Sequence, residues 1–163
     1  LREVEKNFEG LGFPINYKEI NTMGFYPMGL RVLSLLVIKE VFSFDDQKIQ
    51  EMGQSAPKIS LIVKLFLKYF SFLTIKRAIQ EIPWIWQTYY TVGNLTVVYY
   101  DKKNKNLTLI IEDCNLHPVY CVYMKGFFMT GIEIITKSPA IKAEEIKCFF
   151  RGDKNHEFLF QWQ

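Results

Sequence analysis

Histidine and cysteine are scarce in this chain, at two and three residues, and the scarcity excludes a good deal. Three cysteines make no even-numbered disulfide framework of the kind small secreted domains use, so a reduced, cytoplasmic setting is expected. A surplus of one charge is also missing. Lys and Arg number 20 against 17 for Asp and Glu, a net +3, which lacks the basic face that nucleic-acid binding needs. The one local cluster, Lys102, Lys103 and Lys105 in "DKKNKN", reads as a solvated turn between two strand-like runs. No secretory leader is recognisable. The most apolar early stretch, residues 28–38, is broken by Arg31 and too short to cross a bilayer, so no membrane partner is expected. Catalytic signatures are absent too. There is no dinucleotide fingerprint, and no Ser-His-Asp or Cys-His pair in a motif context. The acid pairs Asp45–Asp46 and Glu144–Glu145 are sequence neighbours, which seldom converge on one substrate. The expectation is a chain that is not an enzyme.

What the chain has in quantity is apolar and aromatic side chains, 49% and 16% of its 163 residues. That is enough for one domain spanning residues 1–163 with a real core. The chain opens on Leu1 rather than Met, from which a longer parent protein is expected. Residues 1–27 mix Gly, Pro and isolated aromatics without periodicity and read as an arm of loop with one short strand. Residues 28–41 carry helical spacing. Asp45 and Asp46 suit the first turn of a helix ending near Gly53. Pro57 reads as a first-turn residue of the next helix, and a following helix is expected to break near Pro83. After Gly93 the period changes: "NLTVVYYD" and "NLTLIIED" form a hairpin. Pro118 opens a helix to about residue 135, with Cys121, Met124, Phe128 and Ile132 or Ile135 on one side. "EIKCFFR" and "HEFLFQW" form a second hairpin. Helices, hairpin, helix, hairpin is an α+β order: helices packed on one antiparallel sheet of four or five strands.

All the cysteines and histidines fall between residues 114 and 156. Zinc takes thiolate and imidazole in a tetrahedral shell, although this spacing is not that of a standard zinc finger. In the last hairpin, Ile146, Cys148 and Phe150 share one face, as do His156, Phe158, Phe160 and Trp162. The faces coincide only for an even-sum register, which implies a three- or five-residue loop around Gly152. Cys148 and His156 then lie within reach of one ion. Glu145 stands three residues from Cys148 and points away in an ideal strand. It joins the site only if it precedes the regular strand or if a bulge intervenes. Cys114 reads as a packed small residue, and His117, just before Pro118, as a helix cap or an exposed side chain.

"CVYMKG" (residues 121–126) followed by "EIKCFFRGDKNHEF" (residues 145–158) resembles the 4-vinyl-reductase-type domain. That family's pattern is C-x4-G on a helix, then E-x2-C-x3-G-D-x2-C with an apolar residue close behind. The resemblance covers residues 90–162 and includes "YYTVG". It implies the fold shared by haem nitric-oxide sensors and vesicle-tethering complex subunits, commonly dimeric, with a hydrophobic ligand chamber between helices and sheet. It also implies a sensory module of prokaryotic regulators, and a structural zinc at the positions of Cys121, Glu145, Cys148 and the last motif cysteine, which here is His156. The Tyr-x-Ser-x-Arg motif of the haem sensors is absent, so a haem-based gas sensor is an alternative by fold analogy alone.

The chamber is expected to be lined by Phe66, Tyr69, Phe70, Trp84, Trp86, Tyr89 and Tyr90, many rings in a short span, with a tyrosine as polar handle. The leading expectation is therefore a homodimeric sensory domain binding an apolar small-molecule effector and carrying a structural zinc. The rival is an interaction domain of the same fold whose rings simply fill the core.

Overall fold

The computed structural model describes residues 1–21 and 24–163, the side chains of Leu61, Ile62, Leu67 and Ser71 apart. Its elements in chain order are α1 Arg2–Gly10, α2 Met28–Val41, α3 Asp46–Ile59, α4 Leu61–Ser71, α5 Ile75–Tyr89, β1 Asn94–Asp101, β2 Asn106–Glu112, α6 Pro118–Thr136, β3 Ile141–Lys147 and β4 His156–Trp162. The strands form one antiparallel sheet in the order β1-β2-β4-β3. The α+β expectation is thus met, with four strands in two hairpins joined where β2 pairs β4.

Helix α6 is the axis of the molecule. It is long and apolar enough to pass for a membrane span by composition, yet Cys121, Met124, Phe128 and Ile132 are buried in the main core. These residues follow the three-four spacing of one helical face. The sheet offers Leu107, Leu109, Ile111, Phe158 and Phe160 to the same core. Alternation along β2 and β4 brings these side chains to one face, and the β2–β4 register sets Leu107 opposite Phe160 and Leu109 opposite Phe158.

α3 crosses α6 at backbone contact. A Cβ on Gly53 would sit 2.0 Å from the Tyr123 carbonyl oxygen, and one on Gly126 would sit 2.0 Å from that of Gln50. Gly53 therefore does not end α3, as its residue type suggests. The helix runs on to Ile59, and Gly53 is the crossing point. Pro57 is likewise buried inside α3 and does not open α4, whose cap is Ser60, accepting from the Val63 amide at 3.4 Å. Pro83 does not break α5 either. The buried Ile79 and Trp86 hold the helix on both sides of it, and packing outweighs the lost backbone hydrogen bond.

Residues 1–27, expected as loop and strand, begin instead with a helix. Val4 and Phe8 of α1 and Val37 of α2 form a small separate core. The spacing i, i+4 was present in the arm, but two apolar residues in one short turn pair fall below what periodicity can distinguish.

Candidate metal centre

Both edge strands carry an irregularity that moves residues three apart onto one face. In β1 the register shifts between Val97 and Tyr99, so Val97 opposes Leu109 and Tyr100 opposes Leu107. In β3 the shift falls between Glu145 and Lys147. Upstream of it Glu145 opposes the buried Phe158, and downstream Lys147 opposes Glu157. Glu145 and Cys148 both turn toward the core side, while Ile146 at the shift is 40% exposed. This is the bulge that the Glu145–Cys148 spacing demands. The expected short loop does not form. Residues 148–155 connect the strands through a 3-10 turn at Phe149–Arg151 and a left-handed Gly152, φ 94°. An even-sum register thus holds only beyond the bulge, and Ile146 leaves the face it was expected to share with Cys148.

The connecting turn is held from within. The Asp153 carboxylate accepts from the Cys148 amide at 2.7 Å, and the Asp153 amide donates to the Cys148 carbonyl at 3.2 Å. The Arg151 guanidinium donates to the Glu145 carbonyl at 2.7 Å. Asp153 and Arg151 are site-building residues for which composition offered no signal; Asp153 was legible only as the second letter of the G-D pair.

Cys121, Glu145, Cys148 and His156 converge, each offering one ligand atom, with all four atoms within 4.8 Å of one another. The Cys121 sulfur lies 3.4 Å from His156 Nδ1, and Glu145 Oε1 lies 3.2 Å from the same nitrogen. The edges of a tetrahedron of zinc ligands are about 3.3–3.8 Å, from metal–ligand bonds of about 2.0–2.3 Å. The two separations from His156 Nδ1 are thus close to that edge length, and the other donors lie within 4.8 Å. Cys121, Cys148 and His156 are buried, and Glu145 is largely so. Burial first, then the Glu145 carboxylate and Cys148, drive the Cys121 thiol far above its usual range. Burial also raises Cys148. Burial pushes Glu145 up as well, but hydrogen bonding to His156 and Cys148 outweighs it and leaves the carboxyl below its ordinary value. Two buried thiols, a carboxylate and an imidazole hydrogen-bond to one another here, and as soft and borderline ligands the same groups suit one zinc ion.

The two remaining candidates take the bland roles. Cys114 is buried against Gly93, whose added Cβ would meet the Cys114 Cβ at 2.7 Å. His117 caps α6, its Nδ1 accepting from the Val119 amide at 3.1 Å.

The aromatic set divides. Trp86 is 2% exposed and packs on Tyr90 and Phe128 at centroid distances of 4.3 and 6.5 Å. Its indole N–H is taken by the Gly93 carbonyl at 2.9 Å. Phe70 is buried as well. Phe66 packs on Trp84 and Tyr89 at 5.9 and 5.4 Å, between α4 and α5. Trp84 and Tyr69, however, are 51% and 49% exposed. The expectation of one chamber lined by all seven is corrected accordingly: these two rings lie on the outside. A helix of 15 residues turns residues two apart to opposite sides, which separates Trp84 from Trp86.

No family model and no curated protein matches the chain. Solved structures do match in fold. A haem-containing domain of the H-NOX family is similar at TM-score 0.67 and 13% identity over 99% of this chain and 85% of that one. The phenol-responsive sensory domain of the transcription activator PoxR, with phenol, is similar at TM-score 0.67 and 12% identity over 99% and 89%. A trafficking protein particle complex subunit 3 from Naegleria fowleri, covalently bound to palmitic acid, is similar at TM-score 0.51 and 12% identity over 83% and 94%. The chain therefore has the fold these three share.

Proposed function

We propose that this chain is a non-enzymatic sensory domain of the 4-vinyl-reductase type, which binds a small molecule between its helices and sheet and is stapled by a structural zinc. The observation that carries this reading is the convergence of Cys121, Glu145, Cys148 and His156, the four positions at which the motif resemblance implies the zinc ligands. The likeness in fold to a phenol-responsive sensory domain supports the ligand-binding half. Zinc at this place would tie α6 to the β3–β4 turn, so that a displacement of α6 is transmitted to the sheet edge. The inward group of Trp86, Tyr90 and Phe128 would supply the apolar wall of the ligand site.

Native mass spectrometry of protein purified without added ligand tests both halves. One zinc per chain and a retained small molecule are expected, with homodimers at micromolar concentration. Protein free of zinc after zinc-supplemented expression rejects the metal half. Failure of phenols, aromatic acids and fatty acids alike to raise the melting temperature rejects the ligand half.

One observation favours a second reading, an interaction domain. Ile59, Leu65, Tyr69, Phe72 and Trp84 are all exposed on the α3–α5 side, and Leu65, Tyr69 and Phe72 follow the spacing of one helical stripe. A monomer at micromolar concentration with no ligand response would leave that reading to explain the exposed stripe.

A further inference from the structure

Arg31 is the cation that interrupts the apolar run of α2. It stands three residues after Met28 and four before Leu35, and both of these pack into the main core. Its place is therefore on the inward stripe of the helix. Its guanidinium donates to the Tyr90 hydroxyl at 2.8 Å, with its centre 5.7 Å from the centroid of that ring. The contact bridges α2 to the end of α5, yet Arg31 remains exposed to solvent on one side.

The surroundings of this cation are unusual in what they contain. Burial opposes its charge, its hydrogen-bond partner is the Tyr90 phenol, and Tyr120 and Tyr123 lie within electrostatic range of it. Among the described residues no carboxylate forms a salt bridge with it. The first turn of α2 holds no acidic residue either, so Arg31 adds its charge to the positive end of a helix dipole. Tyr120, one turn into α6, is 3% exposed, and its buried hydroxyl has no hydrogen-bond partner. An orphaned buried hydroxyl is destabilising. A positive centre without an acid thus stands beside a phenol without an acceptor, and one negatively charged acceptor would satisfy both.

We propose that Arg31, Tyr90, Tyr120 and Tyr123 bind the carboxylate of a small organic acid, whose apolar body lies against Met28, Leu35 and Trp86. The planar guanidinium fork matches a carboxylate, and the Tyr120 hydroxyl donates to the same group. The proposal rests on the small-molecule reading above and gives that ligand a charged head. It assigns the polar-handle role to Arg31 and Tyr120, with Tyr90 holding the guanidinium in place.

Isothermal titration and thermal shift of the zinc-loaded chain test it with paired probes: benzoate, 3-phenylpropionate and decanoate, each beside its neutral amide, together with phenol and inorganic phosphate. The acids are expected to bind at least about tenfold more tightly than their amides, the usual cost of leaving a buried polar group unpaired. Arg31→Gln is expected to weaken the acids far more than their amides and so to remove that preference. Tyr120→Phe is expected to weaken the acids several-fold and to leave the ligand-free melting temperature unchanged or higher, because it deletes an unsatisfied hydroxyl. A purely structural role for Tyr120 would lower that temperature instead. Acids and amides binding equally, or phosphate binding more tightly than every acid, overturns the carboxylate site. Phenol binding with no response to any acid overturns it too, and leaves the small-molecule reading standing. No response to any probe overturns both.

Discussion

The half of the molecule from β1 to β4 and the half from α1 to α5 are built by different rules. In the first, the strands and α6 send alternate or three-four spaced residues to one core. Most of the largest fully buried side chains come from it, Phe158, Phe160, Leu107, Leu109 and Met124 among them, while Phe8, Ile49 and Pro57 come from the second. In the second, α1 keeps a core of its own with α2, and α4 and α5 leave Leu65, Tyr69, Phe72 and Trp84 exposed. An open apolar groove of about 450 Å³, lined by residues that include Phe13, Ile15, Tyr26 and Leu30, lies on the α1–α2 side. The contrast teaches that the sheet half is a packed scaffold that carries the candidate metal centre. The helical half is where α4 and α5 leave a stripe of large apolar side chains exposed.

The largest effect expected is on the scaffold. Cys148→Ser should bring zinc, by elemental analysis, from about one per chain to below ~0.1. The melting temperature should fall by ~10 °C or more, several kcal/mol at this chain length. Acid should release the metal as well, since protons compete for His156 and both thiolates, so zinc retention falls with falling pH. Retention of zinc by the Cys148→Ser protein would mean that the metal is held without Cys148, and so not by this set of four donors.

Next comes the junction between the halves. A methyl group at Gly126 meets a carbonyl oxygen at 2.0 Å, and neither backbone can yield without parting α3 from α6. Gly126→Ala should cost about 3 kcal/mol or more, the upper end for overpacking. Chemical denaturation reads this directly. A cost within about 0.5 kcal/mol, as at a free surface site, would show that α3 is not firmly seated.

That junction also shows where the sequence stopped being readable. The fold class was legible because the apolar period switches from helical to alternating after Gly93. The four-residue cluster was legible through the motif resemblance and the face that Cys148 and His156 share, and Glu145 joins it across a bulge, one of the two routes its spacing allowed. Gly53 and Gly126 were not legible as a crossing, because a close approach belongs to two segments at once and each glycine alone reads as an end or a motif letter. The path of the β3–β4 connection was missed for a related reason. Loop length was inferred from hydrophobic faces, whereas the turn is set by Asp153 and Arg151, polar residues that bind backbone. Trp84 and Trp86 read alike in sequence and differ only in which side of α5 meets a neighbour.

The two tryptophans give the cleanest contrast between inside and outside. Trp86→Ala removes a ring that fills the core, at about 3–5 kcal/mol. Trp84→Ala removes one that is 51% exposed, at under about 1 kcal/mol. Equal costs in urea unfolding would erase the distinction between the two sides of α5.

The smallest expected effect is chemical and lies within the scaffold itself. Burial pushes the Cys114 thiol up to about 11, so at pH 8 only ~0.1% of it is thiolate, against roughly a quarter for a free cysteine of pKa about 8.5. Iodoacetamide should therefore leave Cys114 unlabelled in the native protein, and still unlabelled when a chelator has opened Cys121 and Cys148 to the reagent. The same shift has a consequence for stability. The unfolded chain releases this proton above about pH 8.5, while the native state keeps it to about 11. The contribution is thus fully present below pH 8.5 and is lost as the pH rises through that window. Mass spectrometry after a timed pulse reads the labelling residue by residue. Rapid native labelling of Cys114 would place its segment, between β2 and α6, among the parts that open, and the boundary between packed scaffold and open surface would have to be redrawn through the sheet.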